Sequence, residues 1–452
     1  MSLHTHIIGI GGAGMSAIAH LLLERGETVS GCDRQANAAS AELAARGATV
    51  LAGHSADHLA TVDRLLVTSA LPADHIELAA ARERGLPVLT RHDLWREWSR
   101  ERPVAAISGT HGKTTTTAMT ALALRTAGLN PGYLIGAQVP ALGGAAAWGQ
   151  GPLVIEADEY ARTFLALTPQ VAVITNLDWD HVDIYPTPAE YDAAFREFAV
   201  GPAGAAPRHL IMCGDDDGVR RVLADLPAVR CGLDAGNDWR ALDVVPREGG
   251  MAFTVQHAGA ILGAVWLGVS GEHNVRNALL ALAIGDFYEV SFAVMAAALG
   301  QFRGSARRFE PKGTAGGIDV FDDYAHHPTE IRATLAAARA RFPGRRIVAY
   351  FQPHTYSRLE AFQADFAASF ADADVVRIGA VYAARETAAG ADPTARIVGS
   401  MDHPDVAAVG DLAGAYANLC ATLRPGDVLL TLGAGDGVIV GEQLLTTLQD
   451  VA

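Results

Sequence analysis

The residues most capable of chemistry lie at 108–116, where the sequence reads SGTHGKTTT. An apolar run at 104–107 precedes this stretch and a helix-compatible run at 118–125 follows it, which predicts a strand, a glycine turn and a helix. In that context the backbone N–H groups at the start of the helix face an anion, and Lys113 adds a positive charge for the β- and γ-phosphates of a nucleotide. The hydroxyl of Thr114 is placed to ligate Mg²⁺.

This loop departs from the full phosphate-loop pattern, which has glycine where Ile107 stands. The alternative is a chance Gly-Lys-Thr turn, which the strand and helix on either side disfavour. We therefore take nucleoside triphosphate chemistry as the working hypothesis. The candidate ATP-binding residues of the loop are Gly109, Thr110, His111, Gly112, Lys113, Thr114 and Thr115.

Two further groups could complete a metal site. The acidic segment 156–159 follows an apolar run at 153–155, and carboxylate oxygens are ligands that Mg²⁺ prefers. His181 is a second candidate ligand. The alternative for the acidic segment is a solvated turn, and the alternative for His181 is a histidine with only structural hydrogen bonds. Ligands in open α/β sheets bind at the carboxyl ends of strands. We therefore expect Glu156, His181 and the loop around Lys113 to share one crevice.

A second glycine loop, GIGGAG, occupies residues 9–14, and Asp33 stands 19 residues after Gly14. This spacing is typical of a dinucleotide-binding loop and by itself would suggest an NAD enzyme. A dehydrogenase does not need the additional phosphate loop at 109–114. The loop at 9–14 could therefore instead bind the pyrophosphate of a nucleotide-linked substrate. Glycines that serve only strand–helix packing are a further alternative. The candidate substrate-binding residues here are Gly11, Gly12, Ala13, Gly14 and Asp33.

The last third of the chain holds a cluster of basic side chains, namely His326, His327, His354, Arg358 and Arg385. Their spacing fits no zinc site. Arginine can bind a carboxylate through two parallel hydrogen bonds. Binding of a carboxylate is therefore the favoured interpretation, and binding of a phosphate is the alternative.

Two more candidates stand near the ends of predicted elements. Asn274 opens a helix-compatible run, where asparagine can cap the helix or read the edge of an adenine. Arg307 and Arg308 lie where the second block of the chain meets the third. They are either a surface pair or a source of positive charge for a transferring phosphate when domains close.

Composition bounds the class of protein. At 452 residues the chain exceeds one ordinary core, which predicts two or three domains. Half of the residues are hydrophobic and 19% are charged, as in globular proteins, and a net charge of −15 argues against a nucleic-acid partner. We expect no membrane span and a cytoplasmic location, because no apolar run is long enough and no leader pattern is visible. The cysteines, Cys32, Cys213, Cys231 and Cys420, are too scattered to suggest a zinc site or a disulfide framework.

The elements that must position these residues fall into three blocks, each with short apolar runs that predict parallel strands. The predicted strands lie at 4–10, 28–31, 48–51, 64–68 and 87–89 in the first block, at 104–107, 153–155 and 171–175 in the second, and at 318–321, 346–351, 375–378 and 428–431 in the third. A helix is expected at 16–25, closed by Gly26, and another after Pro328. The charged stretch 96–102 is expected to be a linker.

Taken together, these motifs resemble the Mur ligase family, the ATP-dependent enzymes that form amide bonds in peptidoglycan synthesis. The resemblance covers nearly the whole chain. Separated matches in the right order are more specific than one loop, and they favour the branch that joins L-alanine to UDP-N-acetylmuramate. They read GIGGAGMS at 9–16, EADEY at 156–160, DDYAHHPTE at 322–330, FQPHTYSR at 351–358 and YAARE at 382–386.

The resemblance implies an α/β fold of three domains. A Rossmann-like N-terminal domain at 1–102 would bind the UDP substrate, and a central P-loop ATPase-like domain at 103–304 would bind Mg-ATP. A Rossmann-like C-terminal domain at 305–452 would close on ATP and help to bind the amino acid. UDP-N-acetylmuramate and L-alanine are the implied partners, and the oligomeric state stays open.

The resemblance also implies roles for individual residues. Lys113 would hold the γ-phosphate, Thr114 would bind one Mg²⁺, and Glu156 with His181 would bind another. Asn274, Arg308 and Asp322 would contact the nucleotide. The remaining substrate-binding residues would be Ser69, Tyr324, His326, His354, Arg358 and Arg385. The implied catalytic residues are Lys113, His181, His326 and Arg358, with His326 the candidate that assists the amine.

Some positions depart from the family pattern. Thr355 stands where some relatives carry arginine, and residues 161–163 differ from the expected small and acidic residues. Lys113 is the only lysine of the central block, so the carbamylated lysine of other family branches has no counterpart. The competing hypotheses are a ligase that recycles murein tripeptide, a nucleotide sensor without catalysis, and an NAD-dependent oxidoreductase.

Overall fold

The computed structural model describes residues 2–68, 71–201, 207–387 and 393–450. Strands in these ranges form three sheets of the α/β class, which follow one another along the chain. None of the helices in these ranges combines the length and the apolar character needed to cross a membrane.

The first sheet contains five parallel strands in the order β3-β2-β1-β4-β5. The strands are β1 His4–Ile8, β2 Thr28–Asp33, β3 Thr49–Ala52, β4 Arg64–Leu66 and β5 Val88–Leu89. The helices are α1 Ala13–Glu24, α2 Ala38–Ala45, α3 Ile76–Glu83 and α4 Arg91–Glu101, with a 3₁₀ turn at Ala56–Leu59. Gly26 ends α1 with a φ of +88°, as expected for a glycine that closes a helix.

The second sheet contains ten strands in the order β15-β14-β13-β12-β11-β10-β6-β9-β7-β8. The strands are β6 Val104–Ser108, β7 Gly132–Val139, β8 Gly144–Ala147, β9 Leu153–Glu156, β10 Val171–Ile174, β11 His209–Cys213, β12 Val229–Gly232, β13 Trp239–Arg247, β14 Gly250–His257 and β15 Ala260–Leu267. The helices are α5 Lys113–Thr126, α6 Pro188–Val200, α7 Asp217–Leu223, α8 Glu272–Phe287 and α9 Phe292–Gln301, with 3₁₀ turns at Pro140–Leu142 and Tyr160–Ala166.

The third sheet contains six strands in the order β16-β17-β21-β18-β19-β20. The strands are β16 Glu310–Ala315, β17 Ile318–Asp323, β18 Ile347–Phe351, β19 Val375–Gly379, β20 Val406–Gly410 and β21 Val428–Leu432. The helices are α10 Pro328–Arg341, α11 Tyr356–Ala361, α12 Gln363–Ala367, α13 Thr394–Ser400, α14 Leu412–Thr422 and α15 Val438–Asp450. Pro328 occupies the first position of α10, where its missing N–H costs nothing.

The central strands are buried on both faces, as their apolar sequences predict. Every residue of β6, β10 and β18 is buried, and one continuous core cluster joins side chains of the first and second sheets. The helices of an α/β fold cover both faces of a parallel sheet, so its strands lack polar alternation. The predicted α/β class is confirmed by these three sheets.

The expected linker at 96–102 is wrong, because most of this charged stretch belongs to helix α4. Thr90 and Asp93 form a capping box at the start of α4. Leu94, Trp95 and Trp98 recur at helical spacing and are buried in the core that the first two sheets share. Arg96, Arg100 and Glu101 are exposed on the outer face of the same helix.

An ion network inside the first sheet was not visible in the sequence. Arg64 on β4 lies within 3.0 Å of both carboxylate oxygens of Glu27 and 2.8 Å from the carboxylate of Glu97 on α4. Its Nε donates to the hydroxyl of Thr5 on β1 at 2.8 Å. The side chains of Arg64 and Glu27 are both less than a tenth exposed, so each charge depends on the other for compensation.

Replacement of this arginine tests the network. We expect Arg64→Met to lower the free energy of unfolding by roughly 3 kcal/mol, because the buried carboxylate of Glu27 loses its nearest cation and keeps only Arg25, 3.7 Å away. The exposed pair of Arg46 with Glu42 offers a matched control, and Arg46→Met should change stability by less than about 0.5 kcal/mol. Urea denaturation measures both, and equal effects would contradict a special role for Arg64.

Candidate active site

A cavity of about 1300 Å³ lies where loops from the three sheets meet. Its lining includes Gly14 at the start of α1, Lys113 at the start of α5 and Arg358 on α11. These residues lie beyond the carboxyl ends of parallel strands, which is where open α/β sheets bind ligands. The structure therefore brings the predicted groups of all three blocks to one place.

The loop between β6 and α5 has a backbone that only glycine fits. Gly109 has a φ of +132° and Gly112 a φ of +82°. A Cβ on Gly109 would lie 2.0 Å from the hydroxyl of Thr175, and one on Gly112 would lie 2.6 Å from the side-chain oxygen of Asn277. Residues 110–114 line the cavity, so the start of α5 presents its backbone to any bound anion.

Lys113 is held over this loop by backbone carbonyls and by a carboxylate. Its ammonium donates to the carbonyl of Gly109 at 2.6 Å and lies 2.8 Å from Glu159. Burial alone would lower the pKa of Lys113, but the carboxylates of Glu159 and Asp158 outweigh it and raise that pKa. Lys113 is therefore a fixed positive charge beside the phosphate loop.

Glu156 lies next to Thr114 in the lining of the cavity. The hydroxyl of Thr114 donates to its carboxylate at 2.9 Å, and the backbone N–H of Gly136 donates at 2.6 Å. Burial raises the pKa of Glu156, although the charge of Lys113 opposes the shift. A buried carboxylate of this kind gains from a nearby cation.

His181 lies beside Glu159 rather than Glu156. Its Nε2 is 3.5 Å from the Glu159 carboxylate, and ligand atoms of Asp158, Glu159 and His181 lie within 4.8 Å of one another. Burial alone would lower the pKa of His181, but Asp180 and Glu159 outweigh it and raise that pKa. Sequence reasoning singled out Glu156 from the EADE segment and missed Glu159, whose importance depends on the position of Lys113.

Arg358 joins the third sheet to the second through a buried ion pair. Its Nε lies 2.8 Å from Asp180, and both side chains are less than a tenth exposed. Its Nη1 donates to Nδ1 of His354 at 3.0 Å. Burial and the charge of Arg358 lower the pKa of His354 to about 4, so this imidazole is neutral at pH 7.

His326 is neutral as well. Burial lowers its pKa to about 3, although the nearby carboxylate of Glu330 opposes the shift. Its Nδ1 lies 2.9 Å from the carbonyl of Tyr324, which leaves Nε2 as the acceptor. A general base works best with a pKa near the operating pH, so His326 is a poor base here and a suitable hydrogen-bond acceptor.

His111 bridges the phosphate loop to helix α10. Its two ring nitrogens lie 3.2 Å from Glu330 and 3.3 Å from Asp178. Burial alone would lower the pKa of His111, but these two carboxylates raise it to about 9. His111 is therefore protonated at pH 7 and links the second sheet to the third through Glu330.

The remaining cavity residues include two arginines and their aromatic partners. Arg308 lies 3.5 Å from Glu330 and stacks 5.2 Å from the centre of the Tyr324 ring. Arg385 donates to the hydroxyl of Tyr160 at 3.0 Å. Arg91, which sequence reasoning missed, also lines the cavity close to Gly14. These arginines add positive charge to the lining of the cavity.

Several predicted residues do not line the cavity. Asp322 is fully buried and binds Arg307 at 2.9 Å and Thr431 at 2.7 Å. Asn274 donates to the carbonyl of Ser270 at 2.7 Å, and Asp33 accepts from the N–H of Gly11 at 3.1 Å. Gly11, Gly12, Gly109 and Thr115 likewise lie outside the lining. Ser69 lies outside the described residues.

The state of His111 predicts a pH dependence of stability. Because its pKa rises from 6.5 to about 9 on folding, its contribution is complete below pH 6.5 and is lost as pH rises through 9. The loss amounts to about 3 kcal/mol at most. Between these pH values, the free energy of unfolding of the ligand-free protein should decline more steeply with pH for the native chain than for His111→Gln. His403→Gln, outside the cavity, is the control, and an unchanged slope in His111→Gln would contradict the assignment.

Comparisons with known proteins identify the family. The family model of the Mur ligase family, catalytic domain, matches residues 4–102, that of the Mur ligase middle domain matches 107–285, and that of the Mur ligase, glutamate ligase domain, matches 307–435. The chain is 53% identical to the UDP-N-acetylmuramate–L-alanine ligase of Roseiflexus sp. (strain RS-1) and 48% identical to that of Chloroflexus aggregans. Both alignments cover 99% of each chain.

Solved structures show the same relationship. The UDP-N-acetylmuramate–alanine ligase of Thermotoga maritima superposes with a TM-score of 0.84 at 28% identity, and a murein peptide ligase of Psychrobacter arcticus superposes with a TM-score of 0.72 at 26% identity. Each superposition covers all of both chains. Three family models in the expected order, full-length relatives and a shared three-sheet architecture have one explanation: the chain belongs to the Mur ligase family.

Proposed function

We propose that this protein catalyses the ATP-dependent ligation of L-alanine to the lactoyl carboxylate of UDP-N-acetylmuramate, with release of ADP and phosphate. The observation that carries the proposal is one cavity that holds both the phosphate loop of Lys113 and the carboxylate-binding group of Arg358, His354 and His326. The relatives that are 53% and 48% identical carry the name of this activity.

The first step transfers a phosphoryl group. The substrate carboxylate attacks the γ-phosphorus of ATP, a new C–O–P linkage forms, and ADP leaves. Lys113 would exchange its present acceptors, Gly109 and Glu159, for phosphate oxygens when ATP binds, and so offset the charge on the transferring group. Arg308 and Arg385 line the same cavity and add positive charge there.

The second step forms the amide. The alanine amine attacks the acyl carbon, the C–N bond forms, the C–O bond to phosphate breaks, and the departing phosphate takes the proton that the nitrogen loses. Neutral His326 offers a lone pair that orients the amine, and Arg358 is placed to bind a carboxylate. The acyl phosphate must be kept from water, and the buried contact of Arg358 with Asp180 holds the two sheets together around it.

The donor set fits Mg²⁺ at two places. Thr114 and Glu156 offer a hydroxyl and a buried carboxylate 2.9 Å apart, and His181 lies beside Asp158 and Glu159. The oxygen donors of Thr114 and Glu156 suit a hard cation, and the imidazole nitrogen of His181, beside two carboxylates, is the third donor that we assign to metal binding. When bound, Mg²⁺ offsets the negative charge of the phosphate oxygens.

The N-terminal residues complete the substrate site. Gly11, Gly12, Ala13, Gly14 and Asp33 would bind the UDP part of the substrate, together with Ser69. We propose domains at 1–102, 103–304 and 305–452, and the matches to the family models at 4–102, 107–285 and 307–435 support these bounds. A cytoplasmic location, where ATP is available, is part of the proposal.

Release of ADP tests the substrate assignment. Full-length protein with Mg-ATP and UDP-N-acetylmuramate should release ADP when L-alanine is added, and not when murein tripeptide replaces it. The tripeptide arm tests the alternative that the resemblance to the Psychrobacter arcticus murein peptide ligase raises. Turnover with tripeptide alone would contradict the alanine assignment, and nucleotide binding without turnover would favour a sensor.

The chain offers a matched test of the phosphate loop, because Lys113 and Lys312 are its only lysines. We expect Lys113→Ala to lower kcat for ADP release at least about 100-fold, since one preorganised charge at a transferring group contributes this much. Lys312 pairs with Glu310 and Glu442 away from the cavity, and Lys312→Ala should keep kcat within about twofold of the native value. Binding of UDP-N-acetylmuramate should survive in both variants, and native turnover by Lys113→Ala would contradict the loop assignment.

A further inference from the structure

A second cluster of reactive side chains lies inside the first sheet, outside the cavity. It consists of His6 on β1, Cys32 on β2, His58 on the 3₁₀ turn Ala56–Leu59 and Glu77 on α3, and we call these four residues the His–Cys–Glu cluster. His6, Cys32 and Glu77 are completely buried, and the side chain of His58 is 15% exposed. The proposed ligase reaction uses none of them.

The ligand atoms of the cluster converge. One nitrogen of each histidine, the sulfur of Cys32 and a carboxylate oxygen of Glu77 all lie within 4.8 Å of one another. The sulfur is 3.1 Å from Glu77 Oε2, and His6 Nε2 is 3.8 Å from Glu77 Oε1. In a tetrahedral zinc site, bond lengths of about 2.0–2.3 Å separate neighbouring ligand atoms by about 3.3–3.6 Å. The 2.6 Å contact of His58 with Glu77 would open by less than about 1 Å.

His6 supplies an independent sign of a missing partner. Its Nδ1 contacts the hydroxyl of Ser30 at 2.8 Å, whereas its Nε2 is buried, points toward Glu77 and has no hydrogen-bond partner. A buried nitrogen without a partner destabilises the folded state. Metal-bound histidines show this arrangement, with one nitrogen on the metal and the other fixed by a hydrogen bond.

Two more histidines surround the same carboxylate. His54 Nδ1 lies 3.4 Å from Glu77 Oε2, and His75 Nδ1 lies 4.0 Å from it. Neither nitrogen of His75 has a hydrogen-bond partner. Four imidazoles and one thiol around a single buried carboxylate exceed what is needed to balance one negative charge, and they match the donors that transition metals prefer.

We propose that the His–Cys–Glu cluster is a structural binding site for a divalent transition-metal ion of the zinc type, with His6, Cys32, His58 and Glu77 as its ligands. The sulfur and imidazole donors distinguish it from the oxygen-rich places assigned to Mg²⁺. The ion would tie together β1, β2, α3 and the 3₁₀ turn.

The site would also support the glycine loop of the proposed UDP pocket. The carbonyl of Cys32 accepts hydrogen bonds from the N–H groups of Gly9 at 2.8 Å and Ile10 at 3.2 Å. Fixing Cys32 therefore fixes the start of the loop at 9–14. This consequence follows from the position of Cys32 and holds whichever substrate the loop binds.

Metal binding by the full-length protein tests the proposal. After removal of metals with a chelator, the protein is titrated with Co²⁺ and Zn²⁺ while saturating Mg²⁺ and ADP occupy the cavity. We expect one equivalent of Co²⁺ with tetrahedral d–d bands and a thiolate-to-cobalt absorption band. Zn²⁺ should displace it and raise the Tm, since it binds only the folded state.

Variants locate the ion. Cys32→Ser should abolish the thiolate band and weaken Zn²⁺ binding at least about tenfold, because loss of a ligand costs at least as much as loss of its supporting contacts. Two control variants should keep both the thiolate band and the affinity for Zn²⁺. They are Cys213→Ser, at a cysteine buried outside the cluster, and Cys420→Ser, at an exposed cysteine. If Cys32→Ser does not fold, His58→Gln on the partly exposed turn should lose the Tm increase with Zn²⁺.

The opposite results would overturn the proposal. They are the absence of stoichiometric binding, a cobalt spectrum without a thiolate band, or unchanged binding in Cys32→Ser or His58→Gln. Each of them would leave the cluster as a hydrogen-bonded network around Glu77. None depends on ligase turnover, so failure here is separate from failure of the proposed function.

Discussion

The buried ion pair between Arg358 and Asp180 is the contact on which the cavity depends. Arg358 belongs to the helix that follows β18, and Asp180 belongs to the loop that follows β10, so the pair joins the third sheet to the second. Loss of either partner would leave the other as an uncompensated buried charge, at a cost of about 3–5 kcal/mol. The pairing therefore specifies how the third sheet meets the second, with the carboxylate-binding group and the phosphate loop on one cavity.

This constraint also decides the protonation of the surrounding histidines. His326 and His354 lie near Arg358 in a buried region, which lowers the pKa of each. His111 is equally buried, but it lies between Glu330 and Asp178, and these carboxylates raise its pKa. Neighbouring charges thus give the same residue type opposite states within one cavity. The neutral imidazoles of His326 and His354 line the region assigned to the amine and the carboxylates. The protonated imidazole of His111 links the phosphate loop to Glu330.

The strands were predicted well where burial on both faces dictates an apolar run. The runs at 104–107 and 428–431 correspond to β6 Val104–Ser108 and β21 Val428–Leu432. The antiparallel strands β13 and β14 were not predicted, because more exposed residues interrupt the buried ones and no long apolar run results. β15 was also missed, although its sequence, AILGAVWL, is apolar throughout. The prediction of a linker at 96–102 was wrong for a related reason. The charged residues of α4 made this segment look polar, although the tryptophans on the other face of the helix are buried.

The sequence by itself determined the chemistry that the chain can offer, because the glycine loops, Lys113 and the ordered family motifs are local patterns whose spacing is written along the chain. Tertiary structure decided which groups meet. Glu159, rather than Glu156, faces Lys113 and His181, and Asp322 lies behind Arg307 instead of in the cavity. His6, Cys32, His58 and Glu77 share no local spacing, and only the packing of α3 and a 3₁₀ turn against the first sheet brings them together. Contacts between distant residues depend on how sheets and helices pack, and that packing follows from the whole core rather than from any one segment.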